Sequence, residues 1–165
     1  MSQTVLLLEN YSMTRLHVDW TPGPDGGSSD VAQIQYEFDY DVRNHVTDLR
    51  RRALTLRAHF QELGHGKSKV GYCVNCEITG FFQFTDATPK GNEELLLRQN
   101  GFSVLYGALR GIVALTASAF PGGRFLIPNV MPQDVVNEIE SRRVKEFHER
   151  MPRTSRAASK MHSDA

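Results

Sequence analysis

The feature that most constrains the fold is a change in hydrophobic period after Phe84. Before this residue, apolar side chains alternate with polar ones, which is typical of half-buried strands. After it, apolar side chains recur at steps of three and four residues, which is typical of an amphipathic helix. Strands followed by helices, each strand with one apolar face, predict an α+β fold whose antiparallel sheet is covered on one side only.

Four segments have strand character, and the second is the clearest because apolar residues occupy every other position from Ile34 to Val42. A segment with two prolines and three glycines, residues 21–30, follows the first strand. It is too long for a tight hairpin, so we expect a crossover loop. The predicted strands are residues 5–20, 34–42, 54–61 and 72–84.

The helical part is predicted to contain one long, broken helix and a C-terminal helix. Asn92 is expected to cap a short helix over residues 95–99, and Asn100-Gly101 is a stop signal. The longer helix, 102–119, and a last helix, 133–151, flank a proline-containing linker. We expect one domain over residues 1–151, followed by a disordered polar tail over 152–165.

The longer helix carries two unlike stripes. The first is apolar and should lie on the sheet: Phe102, Leu105, Leu109, Ile112 and Thr116. The second is small: Gly107, Gly111, Ala114 and Ser118. A glycine inside a helix costs roughly 1 kcal/mol relative to alanine, so two of them suggest that another helix approaches closely. We predict an interface with a second copy of the chain; the alternative is that the small residues fit beneath a bulky strand residue.

The residue types that carry catalysis do not form a recognisable arrangement. Cys73 and Cys76 form a CxxC string, but residues three apart on a strand point to opposite faces, and no second ligand pair follows. The six histidines are scattered, and no phosphate-binding glycine loop occurs. Arg50-Arg51-Arg52 lies in a connection without interleaved aromatics, which favours a solvated turn over a nucleic-acid contact. The sequence therefore predicts a protein that is not an enzyme, with no catalytic residues, metal or cofactor.

Charge and targeting signals also narrow the function. Nineteen basic residues balance 19 acidic ones, so no net field gathers nucleic acid or an anionic membrane. The N-terminal residues do not read as a signal peptide, and no stretch approaches the roughly 20 apolar residues that cross a bilayer. We expect a cytoplasmic protein that neither inserts into membranes nor binds nucleic acid.

Three strings, in order and at matching spacing, resemble the SecB family of protein-export chaperones over residues 5–145. They are YCVNCEITGFFQF at 72–84, VLYGALR at 104–110 and GGRFLIPNV at 122–130. The chain departs from the family in its balanced charge, in Gly101-Phe102 where members have Cys-Pro, and in Asn75 where members carry an acidic residue for the translocase motor.

The resemblance implies a holdase chaperone that binds unfolded or extended polypeptides in protein export, and that assembles as a tetramer, a dimer of dimers. A second possibility is a SecB-like chaperone dedicated to one partner such as an antitoxin, because members attached to toxin–antitoxin systems show this kind of drift. The translocase motor and an antitoxin are thus candidate partners. The implied peptide groove comprises the loop to Asp30, the helix-joining segment 125–131 and four strand residues, Trp20, Ile34, Tyr36 and Phe38. Within the segment, Phe125, Ile127 and Val130 are singled out as binding residues. The alternative is that these aromatics form the core beneath the helix.

Overall fold

The computed structural model describes residues 4–23, 31–65 and 69–150. The expected α+β fold is confirmed: four strands come first and the helices follow. The elements are β1 (Leu6–Thr21), β2 (Val31–Asn44), β3 (Arg51–Gly64), β4 (Lys69–Phe84), α1 (Glu93–Leu96), α2 (Phe102–Ala117) and α3 (Pro132–Arg150). The predicted polar tail, 152–165, lies outside the described residues.

The four strands form one antiparallel sheet in the order β1-β4-β3-β2. The first two strands therefore occupy opposite edges, and the chain must cross the width of the sheet between them. This confirms the crossover predicted after β1. Residues 24–30 of that connection lie outside the described part of the chain.

Among the described residues, the helices cover one face of the sheet. Side chains at even positions of β3 and β4, such as Leu56, Phe60 and Ile78, are fully buried against α2. Gly80 allows the close approach, because a Cβ there would lie 2.6 Å from Leu105 Cδ2. The opposite face carries polar side chains at the odd positions.

The buried face of α2 differs in phase from the predicted stripe. Val113 and Ala117 are buried, whereas Ile112 is only partly buried at the rim of the core. A straight helix has 3.6 residues per turn, so the row that begins at Phe102 passes closer to 113 than to 112.

Two sequence predictions for the segment just before α2 were wrong. Asn92 makes no side-chain capping bond to α1. Asn100-Gly101 does not end a helix, because residues Leu97–Gly101 form a single π-helical turn that is continuous with α2. Gly101 has helical φ and ψ and is buried, and a Cβ there would lie 3.0 Å from Leu54 Cδ2. This glycine thus serves close packing on the sheet.

The mixed polarity of β1 results from two irregularities in its pairing with β4. The register shifts between Leu8 and Asn10 and again between Met13 and Arg15. Each extra residue restores the apolar side chains to the covered face, and Thr14 turns its hydroxyl to Glu77 instead. None of the described helices combines the length and apolarity needed to cross a bilayer.

Candidate functional site

The two cysteines lie on opposite faces of β4. Cys76 is buried on the covered face, where burial raises the pKa of its thiol to about 12. Cys73 pairs with Asp19 of β1 on the other face. A thiol that stays protonated is a poor nucleophile and metal ligand. Across residues 4–23, 31–65 and 69–150, no three His, Cys, Asp or Glu side chains come together as a metal site.

The sequence-predicted peptide-binding residues gather at one end of the sheet but do not share one pocket. Tyr36 stands in a row with Phe60, Val74 and Val18, which crosses all four strands. Trp20 lies two residues beyond Val18 on the far edge. Since neighbouring strands are about 4.8 Å apart, the two edges are separated by about 14 Å.

The segment between α2 and α3 covers this end of the sheet. The Phe125 ring contacts Tyr72 and Phe60, with ring centroids 5.4 and 6.2 Å apart. The Tyr72 hydroxyl lies within hydrogen-bond distance of two carbonyls, that of Ala117 at 3.0 Å and that of Gly123, and its single proton is shared between them. These contacts fix the start of the linker against β4 of the sheet.

Three of the predicted groove residues belong to the hydrophobic core. Phe125 and Ile127 are each 2% exposed and Phe38 is 5% exposed. Phe38 has the rings of Phe60, Phe102 and Tyr106 around it at 5.6 to 5.8 Å. For these three the core interpretation describes the observed arrangement, so the accessible surface is smaller than the predicted groove.

The remaining predicted residues are accessible to different degrees. Tyr36 is 45% exposed, although it lies only two residues from Phe38. Trp20, Ile34 and Val130 are half-buried and pack against the core. The Trp20 indole Nε1 is buried without a hydrogen-bond partner among the described residues, and the indole occupies the space that a Cβ of residue 122 would need. Gly122 is thus required by Trp20.

Two exposed apolar residues lie in the predicted groove segment 125–131 but were not singled out there as binding residues. Leu126 is 63% exposed and Met131 is 68% exposed. Met131 lies one helical turn before Val135. Val135 lines a small depression together with Tyr36 and Ile139. The alternation of the linker, with Phe125 and Ile127 inward and Leu126 outward, could have revealed the outward side chain. We call Tyr36, Leu126 and Met131 the apolar rim.

A second apolar surface lies on α2, where we define the outer stripe as Val104, Gly107, Gly111, Ala114, Leu115 and Ser118. Leu115 is 76% exposed and Val104 is also exposed. The two glycines are exposed, and a Cβ at either would meet no atom within 4 Å. Neither glycine is therefore there to fit beneath a strand residue of its own chain. Of the predicted interface, Ala114 alone is half-buried.

The polar face of the sheet differs in having internal partners. Arg57 Nε donates to Glu77 Oε2 at 2.9 Å, and its Nη1 lies 3.5 Å from Asp39 Oδ2. Hydrogen bonds from Thr14 and then Arg57 hold the pKa of Glu77 below its usual range. We define the polar face as Arg15, His17, Asp39, Thr55, Arg57, His59, Asn75, Glu77 and Thr79.

No family model and no curated protein matches the sequence. Among solved structures, a SecB-like chaperone of Mycobacterium tuberculosis in complex with a ChAD peptide from the HigA1 antitoxin is similar, with a TM-score of 0.55 and 13% identity over 76% of this chain and 91% of that one. A protein of unknown function from Streptococcus agalactiae gives a TM-score of 0.48 and 8% identity over 78% of this chain and 100% of that one.

At 13% identity, the likeness to the mycobacterial protein bears on the fold alone. The matching architecture is the four-stranded antiparallel sheet, the broken helix over residues 93–117 and the C-terminal helix. The chain therefore has a SecB-like fold.

Proposed function

We propose that this chain is a SecB-like holdase chaperone that binds unfolded or extended polypeptides in the cytoplasm, in protein export or secretion. The observation that carries the proposal is the apolar rim. Tyr36 lines a depression with Val135 of α3, and Met131 lies one turn before Val135. Leu126 lies in the linker that leads to α3, and all three rim residues are exposed. Large exposed apolar side chains of this kind mark an interaction surface.

The chemistry of this surface suits an unfolded client. Such a client presents extended backbone and scattered apolar side chains, so its binder needs adaptable apolar contacts and no catalytic group. Met131 has a flexible, polarisable side chain that can adjust to different partners.

Assembly through the outer stripe supports the same function. Glycines with nothing above them allow a second helix to approach the backbone of α2, and Leu115 and Val104 would be removed from water. We propose a dimer of dimers built on this contact. Several weak sites on one particle raise the local concentration of sites for a long client, which strengthens its retention.

A second candidate is a SecB-like chaperone dedicated to one partner such as an antitoxin. The observation that favours it is the structural likeness to a mycobacterial chaperone whose structure contains an antitoxin peptide. Asn75, on the polar face where export chaperones carry an acidic residue for the motor, points in the same direction.

Aggregation assays separate these candidates. We expect the chain to suppress light scattering by several unrelated unfolded proteins, such as reduced lysozyme and heat-denatured citrate synthase, and to shift the fluorescence of Trp20. Protection of an antitoxin alone would establish the dedicated role. No protection of any client, together with an unchanged Trp20 spectrum at saturation, would contradict both.

A pair of neighbouring substitutions locates the site. Tyr36→Lys places a charge in the apolar rim and should weaken client binding by roughly tenfold, which corresponds to about 1.4 kcal/mol. Gln35→Lys adds the same charge one residue away, on the exposed polar side of β2, and should change binding little. Equal effects of the two variants would remove Tyr36 from the site.

A further inference from the structure

The backbone of β2 presents hydrogen-bonding groups at the edge of the sheet. In an antiparallel strand, the N–H and C=O of one residue point to the same side, and successive residues alternate. Odd-numbered residues of β2 face β3, since His45 N, just beyond the strand, donates to the Arg51 carbonyl in the same register at 3.2 Å. The even-numbered residues, Ile34 to Val42, therefore direct both groups away from the sheet.

Helix α3 occupies part of this edge with two guanidinium groups. Arg142 Nη2 donates to the Phe38 carbonyl at 2.8 Å, and Arg143 donates to the Tyr40 carbonyl. Ion pairs with Glu37 at 3.2 Å and with Asp39 at 2.8 Å hold the same two arginines in place. We call Arg142 and Arg143 the arginine clasp.

The stretch of edge before the clasp has no such cover. No partner takes the outward groups of Ile34 and Tyr36 within the described part of the chain. On the helix side this stretch offers the apolar side chains of Ile34 and Tyr36, and on the other side it offers exposed Gln33, Gln35 and Glu37. A row of alternating N–H and C=O groups is complemented by another extended backbone.

We propose that an extended client segment adds to β2 as a fifth strand at Ile34 and Tyr36, and that the arginine clasp sets where the added strand stops. The proposal rests on the proposed function and assigns its binding mode. The fitting segment alternates apolar residues, facing the helix side, with polar or basic residues, one of them opposite Glu37. A second copy of β2 fits less well, because it would bring further carboxylates from Glu37, Asp39 and Asp41 to the same face.

Amide hydrogen exchange followed by NMR tests the binding mode. The probe is a synthetic peptide of alternating valine and glutamine with lysine at each end, which lacks stable structure of its own. Its addition should slow exchange of the Ile34 and Tyr36 amides by roughly tenfold or more, and should leave the Gln35 amide, already bonded to β3, unchanged. Binding without protection of Ile34 and Tyr36 would overturn the inference while leaving the proposed function intact. If neither the peptide nor the unfolded proteins named above bound, both the inference and the proposed function would be contradicted.

N-methylated versions of the same peptide give a matched control. Methyl groups on one set of alternate residues block the N–H groups that face β2, whereas methyl groups on the other set point away. One pattern should weaken binding about tenfold or more and the other should have little effect. Equal effects of the two patterns would contradict strand addition.

The clasp is tested by Arg142→Ala with Arg143→Ala. Removal of both guanidinium groups frees two carbonyls, so peptide protection should extend to the Phe38 and Tyr40 amides and affinity should rise several-fold. Lys145→Ala with Arg150→Ala removes the same charge from the same helix and should change neither. An unchanged footprint in the clasp variant, with its fold verified by circular dichroism, would show that the arginines do not limit the added strand.

Discussion

The outer stripe of α2 and the polar face of the sheet both lie outside the hydrophobic core, yet they differ in what their residues contact. On the polar face, Arg57 bonds Glu77 and reaches Asp39, and Thr55 bonds Thr79 at 2.9 Å. On the outer stripe, Leu115 is largely exposed and a Cβ at Gly111 would meet no atom within 4 Å. One surface is satisfied by its own chain, whereas the other is not.

The difference indicates which surface contributes to stability and which to association. Charges that are paired within one chain stabilise that chain. They attract a partner weakly, because binding would remove water from these charges without giving them new counter-ions. An apolar stripe with glycines lacks such partners, and its removal from water on association is favourable in free energy. We therefore expect substitutions on the polar face to change unfolding, and substitutions on the outer stripe to change assembly.

The largest expected effect on stability is that of Arg57→Ala. It leaves Asp39 and Glu77 without their shared cation, and because the groups are partly exposed we expect a loss of about 1 kcal/mol in the free energy of unfolding. Urea denaturation measures this loss. The particle mass should stay unchanged. A fall in mass would contradict the claim that the polar face acts on stability and only the outer stripe acts on assembly.

A smaller effect should appear in the pH dependence of Glu77→Gln. The pKa of Glu77 is lowered in the folded chain, so its stabilising contribution is fully present above the unfolded pKa of about 4.3 and disappears as the pH falls through the folded value. The melting temperatures of the two proteins should therefore differ at pH 7 and converge only once the pH has fallen below the lowered pKa of Glu77 in the folded chain. A difference that grows on acidification would contradict the assigned sign.

Much of the fold could be predicted because local pattern and tertiary packing agree. The alternation from Ile34 to Val42 defines one face of β2, and the long segment 21–30 indicates the crossover. The exposure of Gly107 and Gly111 also follows from helical spacing, since they lie off the apolar stripe.

The parts that sequence could not give depend on contacts between distant residues. Asn100-Gly101 resembles a helix stop, but packing of Gly101 against Leu54 favours a π-helical turn. Phe125 and Ile127 resemble groove residues, but the bonds of Tyr72 to Ala117 and Gly123 hold the linker against the sheet and bury them. The arginine clasp depends on residues 104 and 103 positions apart, which no local pattern relates.

Sedimentation velocity of Gly111→Leu tests most directly whether the outer stripe joins copies of the chain. The added side chain meets no atom of its own chain and removes a helical glycine, so the subunit itself should stay folded and should be no less stable. We predict that the unsubstituted protein and a Gln35→Leu control sediment as a particle heavier than the 18.6 kDa chain, and that Gly111→Leu sediments at the mass of one chain or of a smaller assembly. An identical mass for all three proteins would contradict the account.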